Sequence, residues 1–312
     1  MHPSKDFSIM KSFPDFHESC FDMTAYNKMF EKKNVIIHAS AKDVSYPEHW
    51  GPLSLKCAIK GIEHYQCHNR FYSVDKDNYL IFNDGQYYSS HIYSETATES
   101  FTINFSVDLQ REVLQDFENG LDNSCCKKSF EFIEKLYRHD GSVTPLIKKL
   151  YHASVTAKPE IHFITEIYYN LLESLFVQQT LVKNEVTKIK AVRPSTQLEL
   201  YKRLSYAKDY IHSCYMNEIS LDDLASVACM NNAYFLREFK KYFGLSPHQY
   251  IIQHRLNVAK KLMQTTSLSI IEICFEVGYS DATSFNKLFK KHFSCTPATF
   301  RHQTMKKSFF TC

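Results

Sequence analysis

The chain has 312 residues, of which 44% are hydrophobic and 14% aromatic, and a formal net charge of +3. That length suits two or three domains with packed cores. No run approaches about eighteen uninterrupted apolar residues, which argues against a membrane-spanning helix. The opening Met1-His-Pro-Ser-Lys-Asp has no apolar signal core, so the expected location is the cytoplasm.

From about Leu53 to Val107 short alternating runs dominate. They are Leu53-Ser-Leu-Lys-Cys-Ala-Ile-Lys, Arg70-Phe-Tyr-Ser-Val, Tyr79-Leu-Ile-Phe and Phe101-Thr-Ile-Asn-Phe-Ser-Val. Lys60-Gly61, Asp75-Lys-Asp-Asn78 and Asn83-Asp-Gly85 supply turns between them. Closely spaced strands with polar turns predict a small antiparallel barrel or jelly roll. Tyr65, Tyr72, Tyr79, Tyr87 and Tyr93 are candidates to line a pocket in it, or to fill its core. Glu63, His64, His68 and His91 are the one set that resembles the donors of a barrel metalloenzyme. His64-x-x-x-His68 lacks the His-x-His alternation that aims two rings into one barrel, so surface histidines are the better reading and no metal is expected.

Beyond the barrel the chain turns helical. Thr144-Pro145 has the form of a cap followed by proline. Ile161 to Lys190 is a long amphipathic stretch with Ile164, Ile167, Tyr168, Leu171, Leu172, Leu175 and Leu181 on a broad apolar face. That face is expected either to pack on the barrel or to meet its copy in a homodimer. Arg193-Pro-Ser-Thr196 breaks the pattern and reads as a linker. The ten cysteines include no Cys-x-x-Cys pair. Several fall on helical core faces, where a thiol behaves as a small apolar group. Cys125-Cys126 is the one vicinal pair and a candidate redox sensor.

The last third contains a repeat. Ser220-Leu-Asp-Asp-Leu-Ala through Tyr234-Phe-Leu-Arg-Glu-Phe-Lys-Lys-Tyr-Phe-Gly-Leu-Ser-Pro247 is followed by Ser269-Ile-Ile-Glu-Ile-Cys through Ser284-Phe-Asn-Lys-Leu-Phe-Lys-Lys-His-Phe-Ser-Cys-Thr-Pro297. Each copy starts on a capping-box pattern, Ser220 with Asp223 and Ser269 with Glu272. Apolar residues then recur at helical spacing to a break near Met230-Asn231 or Gly278-Tyr279-Ser280, where Asn231 and Asp281 can cap the next helix. In the second helix of each copy Phe235, Phe239 and Phe243, or Phe285, Phe289 and Phe293, form one stripe and leave a basic opposite face. Two such units are two helix-turn-helix motifs. Ser246-Pro247 opens a connecting helix, His248 to Met263, stiff enough to hold two reading helices in adjacent major grooves.

Charge divides the chain likewise. From Glu199 onward there are fifteen Lys+Arg against nine Asp+Glu, a surplus of six, whereas the remainder carries 22 against 25. A basic C-terminal module is the electrostatic footprint of a phosphate polymer, double-stranded DNA above all. Asn232, Ala233, Leu236 and Arg237 in the first copy, and Ala282, Thr283, Asn286 and Lys287 in the second, face away from the phenylalanines. They are the candidate base contacts: Arg237 or Lys287 for guanine, Asn286 for adenine, and Ala233, Leu236 or Ala282 for thymine methyls. The alternative for Arg237 is an ion pair with Glu238 or Asp223. Lys240, Lys241, Lys290 and Lys291 are the candidate phosphate contacts.

Over roughly Leu198 to Arg301, and most of all over Gly278-Tyr-Ser-Asp-Ala-Thr-Ser-Phe-Asn-Lys-Leu-Phe-Lys-Lys-His-Phe-Ser-Cys-Thr-Pro-Ala-Thr-Phe-Arg301, the chain resembles the AraC/XylS family of bacterial transcription regulators. Ser294 stands where that family usually has a glycine, Cys274 where it has an alanine and Lys287 where it often has an arginine. The resemblance implies a multidomain α+β protein. Its expected parts are a cupin-like effector-sensing barrel with an N-terminal extension (1–115), a helical dimerisation or connector region (116–192), a linker (193–197) and an AraC-type DNA-binding domain (198–304). It implies a ligand-responsive regulator, an activator by family habit, acting as a homodimer with RNA polymerase as a further partner. It implies no catalytic residues and no cofactor. Two other readings stay open: a cupin-type metalloenzyme with a DNA-localising domain, and a constitutive DNA binder whose barrel only dimerises.

Overall fold

The computed structural model describes residues 7–14, 21–120, 130–156, 160–187, 189 and 193–309. The chain divides into two compact units, Met1–Lys202 and Arg203–Cys312.

The first unit is built on one eight-stranded sheet. Its elements are β1 (Phe7–Met10), α1 (Met23–Lys32), β2 (Asn34–Gly51), β3 (Ser54–Lys60), β4 (Glu63–Cys67), β5 (Arg70–Val74), β6 (Asn78–Phe82), β7 (Gln86–Asn104), α2 (Val107–Gly120), β8 (Leu136–Arg138), α3 (Val143–Val155) and α4 (Ile161–Thr187). The strand order is β1-β2-β7-β3-β6-β8, and β4 pairs with β7 and β5 beside that path. All pairs are antiparallel except β1 with β2. The strands expected at 53–60, 70–74 and 79–82 are present as β3, β5 and β6, within one residue of those bounds, but the described strands do not close into a barrel, because β1 and β8 end the path. β2 and β7 are long enough to run beyond the core, with register shifts at Ala41/Asp43 and Tyr46/His49. The expected strand through Val107 stops at Asn104, and Val107 begins α2. The region expected to be wholly helical contains β8, which pairs with β6.

Helix α3 starts one residue before Thr144. Asp140 accepts from the Ser142 and Val143 amides, at 2.9 and 2.8 Å, while the Thr144 hydroxyl accepts from the Asp140 amide. The apolar stripe of α4 is consumed inside this unit. Leu171, Leu172 and Leu175 are buried, Tyr168 packs edge-on against Phe7 and Phe105, and Phe176 stacks on Phe132. Leu171 and Leu175 therefore belong to the core of their own unit, whereas Leu181, expected on the same face, is 59% exposed. The Cys125-Cys126 pair lies outside the described residues.

The second unit is helical. Helix α5 (Pro194–Cys214) starts in the last residues of the first unit, at the proline of the expected linker, because proline suits a first helical turn, and supplies the first residues of the second unit from Arg203 on. Then follow α6 (Leu221–Val227), α7 (Asn232–Phe243), α8 (Pro247–Thr265), α9 (Ile270–Glu276), α10 (Ala282–Phe293) and α11 (Pro297–Phe309). The capping boxes at Ser220/Asp223 and Ser269/Glu272 are both formed, and a third, Ser246/Gln249, opens α8. At 19 residues α8 spans roughly 28 Å. Its Leu256, Ala259 and Met263 pack with Ile273, Cys274, Val277, Phe285 and Phe289. Arg255 ties three segments together. It donates to the carbonyls of Tyr215, Gly278 and Asn217 at 2.7, 2.9 and 2.7 Å.

Candidate nucleic-acid interface

Helices α6 and α7 form one pair and α9 and α10 another, each joined by a turn with one residue in the left-handed region. That residue is Cys229 (φ 51°) in the first pair and Gly278 (φ 83°) in the second. Each stands two residues past its helix. The turn then hands over to a side-chain cap, Asn231 accepting from the Tyr234 amide at 2.9 Å and Asp281 from the Ser284 amide at 2.8 Å. These caps fix where α7 and α10 begin, and so which residues face outward.

Phe235, Phe239, Phe285 and Phe289 are fully buried, so they hold the helices in place and are not wedges for a ligand. On the opposite faces Asn232, Ala233, Leu236, Arg237, Lys240 and Lys241 are all exposed, as are Thr283, Asn286, Lys287, Lys290 and Lys291. Ala282 is half-buried and packs against the α8–α10 core. Every residue expected to touch bases or phosphates thus lies on the outer side of its helix or at its rim.

The two faces differ in how free they are. Arg237 donates through Nε to Glu238 at 3.1 Å and lies 5.0 Å from the centroid of the Tyr234 ring. Glu238 also accepts from Lys241 at 3.4 Å. The ion pair weighed for Arg237 therefore exists, with Glu238 as its partner, while the guanidinium stays largely exposed. Asn232 donates to Asp222 of α6. In the second pair Leu288 holds the place of Glu238, and Lys287, Lys290 and Lys291 form no ion pair among the described residues. The cap carboxylates behave alike in both copies. Hydrogen bonds from Ser220, Ser269 and Ser284 hold Asp223, Glu272 and Asp281 below the usual carboxylate range.

The tyrosines expected to line a pocket are scattered. Tyr65 lines a cavity in the first unit. Tyr72 is buried and donates to Glu134 at 2.9 Å, and Tyr79 is buried and donates to Gln178 at 2.6 Å. Tyr87 is 54% and Tyr93 83% exposed, so these two face outward. Their neighbours in the pleat, Tyr88 and Ile92, face inward, the opposite phase to the one expected. The cavity walls also include Lys56 and Glu63, both buried, which strand alternation does not reveal as interior residues. Glu63 and His64 are adjacent in β4 and so point to opposite sides. His64 stacks on His91, 5.0 Å between centroids, while His68 sits at a positive φ in the following turn. Among the described residues no group of three His, Cys, Asp or Glu side chains is placed to hold a metal. No helix among them is long and apolar enough to cross a membrane.

A family model described as a helix-turn-helix domain matches residues 224–303. The chain is 35% identical over 83 residues to the probable transcription factor PqrA of Proteus vulgaris, covering 27% of this chain and 68% of that protein. It is 27% identical over 182 residues to the Msm operon regulatory protein of Streptococcus mutans, covering 56% of this chain and 62% of that one. It thus spans less than two thirds of the Msm protein. A solved transcriptional regulator from Chromobacterium violaceum, described as having an AraC-type DNA-binding domain, is 30% identical. That match covers 36% of this chain and 96% of that one, with a TM-score of 0.32. By the matched helix-turn-helix model and the likeness to PqrA, the chain belongs to the AraC/XylS family of DNA-binding transcription regulators.

Proposed function

We propose that this protein is a sequence-specific regulator that reads DNA through two helix-turn-helix units, α6–α7 and α9–α10, with α7 and α10 entering adjacent major grooves. The observation that carries this reading is the pair of outward faces, polar and basic in both copies and backed by buried phenylalanines. Arg237, Asn286 and Lys287 have the hydrogen-bonding groups to read base edges, and Ala233, Leu236, Ala282 and Thr283 can meet thymine methyls or neighbouring base edges. Asn232 joins them once its bond to Asp222 opens. Lys240, Lys241, Lys290 and Lys291 neutralise phosphates. Arg237→Ala is expected to lose about 1–3 kcal/mol of specific binding and to relax the preference at one base pair. Equal weakening on specific and random DNA would move Arg237 to the phosphates.

In the same reading the first unit senses a small molecule, and the regulator is an activator that works with RNA polymerase as a homodimer. The division into a sensor (1–115), a helical connector (116–192) and a DNA reader (198–304) is retained. Support for the sensor comes from its half-open cavity, which has a buried lysine and a buried glutamate in its walls. Leu171 and Leu175 are buried in their own unit, so the dimer needs another surface. Phe163, Val177 and Leu181, exposed along one face of α4, are what that helix has left for a second copy of this chain. Sedimentation of Val177→Lys with Leu181→Lys tests this: a dimer in the parent chain and a folded monomer in the variant are expected. An unchanged dimer would place the interface elsewhere.

A further inference from the structure

The cavity in the first unit has a buried lysine and a buried glutamate in its walls with no ion pair between them. Its walls include Lys56 of β3, Glu63 and Tyr65 of β4, Tyr88 of β7, Trp50 of β2 and Tyr26 of α1, and its volume is about 50 Å³. Lys56 is 6% and Glu63 4% exposed. The Lys56 ammonium donates to the Tyr88 hydroxyl at 2.8 Å and lies 4.8 Å from the centroid of that ring and 5.9 Å from that of Tyr65. An ammonium has three protons to donate, so two are left for another acceptor. Ser100, Tyr65 and Ser90 lie within hydrogen-bonding reach of the Glu63 carboxyl and Lys56 attracts it, but its Oε2 accepts no hydrogen bond among the described residues and makes none with Lys56. Burial brings the Lys56 ammonium down to about 8 and pushes the Glu63 carboxyl up.

A buried carboxylate oxygen without a donor, facing the same space as a buried ammonium with protons to spare, defines what would fit. A ligand with one charge would pair one wall and leave the other charge isolated in a poorly solvated site. A neutral polyol would satisfy the hydrogen bonds without compensating either charge. A molecule with a carboxylate at one end and an ammonium at the other compensates both, through charge-assisted bonds. The surrounding tyrosines and tryptophan also favour an ammonium over their faces. At roughly 10–15 Å³ for each water-sized position, the cavity holds about four such positions, the scale of an amino-acid backbone with little or no side chain.

We propose that this cavity binds a small zwitterion of the α-amino acid class, its carboxylate on Lys56 Nζ and its ammonium on Glu63 Oε2. The inference rests on the reading of the first unit as the sensor. The test is calorimetric titration of the full chain at pH 7 with glycine and L-alanine. Acetate, ethylamine and glycerol serve as probes of similar size that carry only one of the charges or none. Saturable binding of glycine or alanine, at least tenfold tighter than any of the three probes, is expected, with at least a tenfold loss in Glu63→Gln and in Lys56→Met. Acetate, ethylamine or glycerol binding within tenfold, or no saturation by either amino acid, would overturn it. The five probes on the unaltered chain decide this even if a variant fails to fold. DNA titration with and without saturating amino acid separates the two readings. Binding without any change in DNA affinity keeps the site and removes the sensor reading. A DNA affinity that answers only to some other co-purifying molecule, while no zwitterion binds, removes the site and keeps the sensor.

Discussion

The two helix pairs of the second unit are copies in outline and opposites in detail. The first turn places a cysteine in the left-handed region, where an L side chain is strained, and Arg203 donates to the carbonyl of that cysteine at 2.7 Å. The second uses glycine, and a Cβ there would stand 2.6 Å from the Met216 carbonyl oxygen. At the far end of α7 and α10 the roles reverse: α7 stops on Gly244 (φ 75°) and α10 on Ser294 (φ 60°). The first pair ties the outward arginine to the buried Glu238, while the second has the core-packed Leu288 at that position and leaves its lysines unpaired among the described residues. One geometry is therefore reached by different local compromises. The comparison predicts that the first pair is the more constrained reader and the second the more electrostatic one.

The largest effect should come from the turn that tolerates no side chain. Gly278→Ala combines a positive φ with a backbone clash, and about 2–4 kcal/mol of stability should be lost. Cys229→Gly, at the equivalent place in the first pair, should instead gain up to about 1 kcal/mol by relieving strain. Urea unfolding of the full chain, followed by a probe in the second unit, measures both. A similar loss for both substitutions would show that the turns are not equivalent.

How much of this was legible beforehand differs between the two units. In the second, caps, periodicity and charge are local, so Ser220, Asn231, Ser269, Asp281 and the phenylalanine stripes announced themselves within a few residues. The first unit hides its strands for a physical reason. The outer half of β2 is largely exposed and carries Lys42, Asp43, Pro47 and Glu48, so no apolar alternation marks it. β3 is buried on both faces over most of its length, so alternation does not mark Lys56 as a wall of the cavity. In the pair Tyr87-Tyr88 the aromatic signal is identical on both phases, and only the register with β2 decides which ring points inward. β8, three residues long, is set by its pairing with β6 and by nothing in its own composition.

The next effects concern the helix end and the outer face. Ser294→Gly should stabilise by about 0.5–1 kcal/mol, since glycine adopts the left-handed end of α10 without a Cβ penalty, and Gly244→Ser should cost a similar amount in the first copy. Glu238→Gln should tighten binding to every DNA sequence by a few fold, because it removes the buried negative charge that holds Arg237 and Lys241. Binding that changes on one sequence alone would make Glu238 part of base readout.

The smallest effect is acidic and falls mainly on the second pair. Asp223, Glu272 and Asp281 are held below their ordinary range, so their folded pKa lies under the unfolded one. The stability they contribute is therefore present above about pH 4 and is lost as pH falls through the depressed folded values. The second pair has two of these carboxylates, while the first has one and the amide of Asn231. Denaturant midpoints of the parent chain and of Asp281→Asn, taken from pH 6 down to pH 3, should converge as the acid limit is approached. A gap that stays constant over that range would assign the role of Asp281 to something other than its charge.

The central claim is that two dissimilar faces read one DNA in tandem. Hydroxyl-radical footprinting of the full chain on a site selected from random DNA tests it most directly. Two protected segments on one face of the duplex, about one helical turn or 10 base pairs apart, are the predicted result. The segment assigned to α10 should be lost first as salt is raised. One protected segment that survives disruption of either helix face would contradict the account.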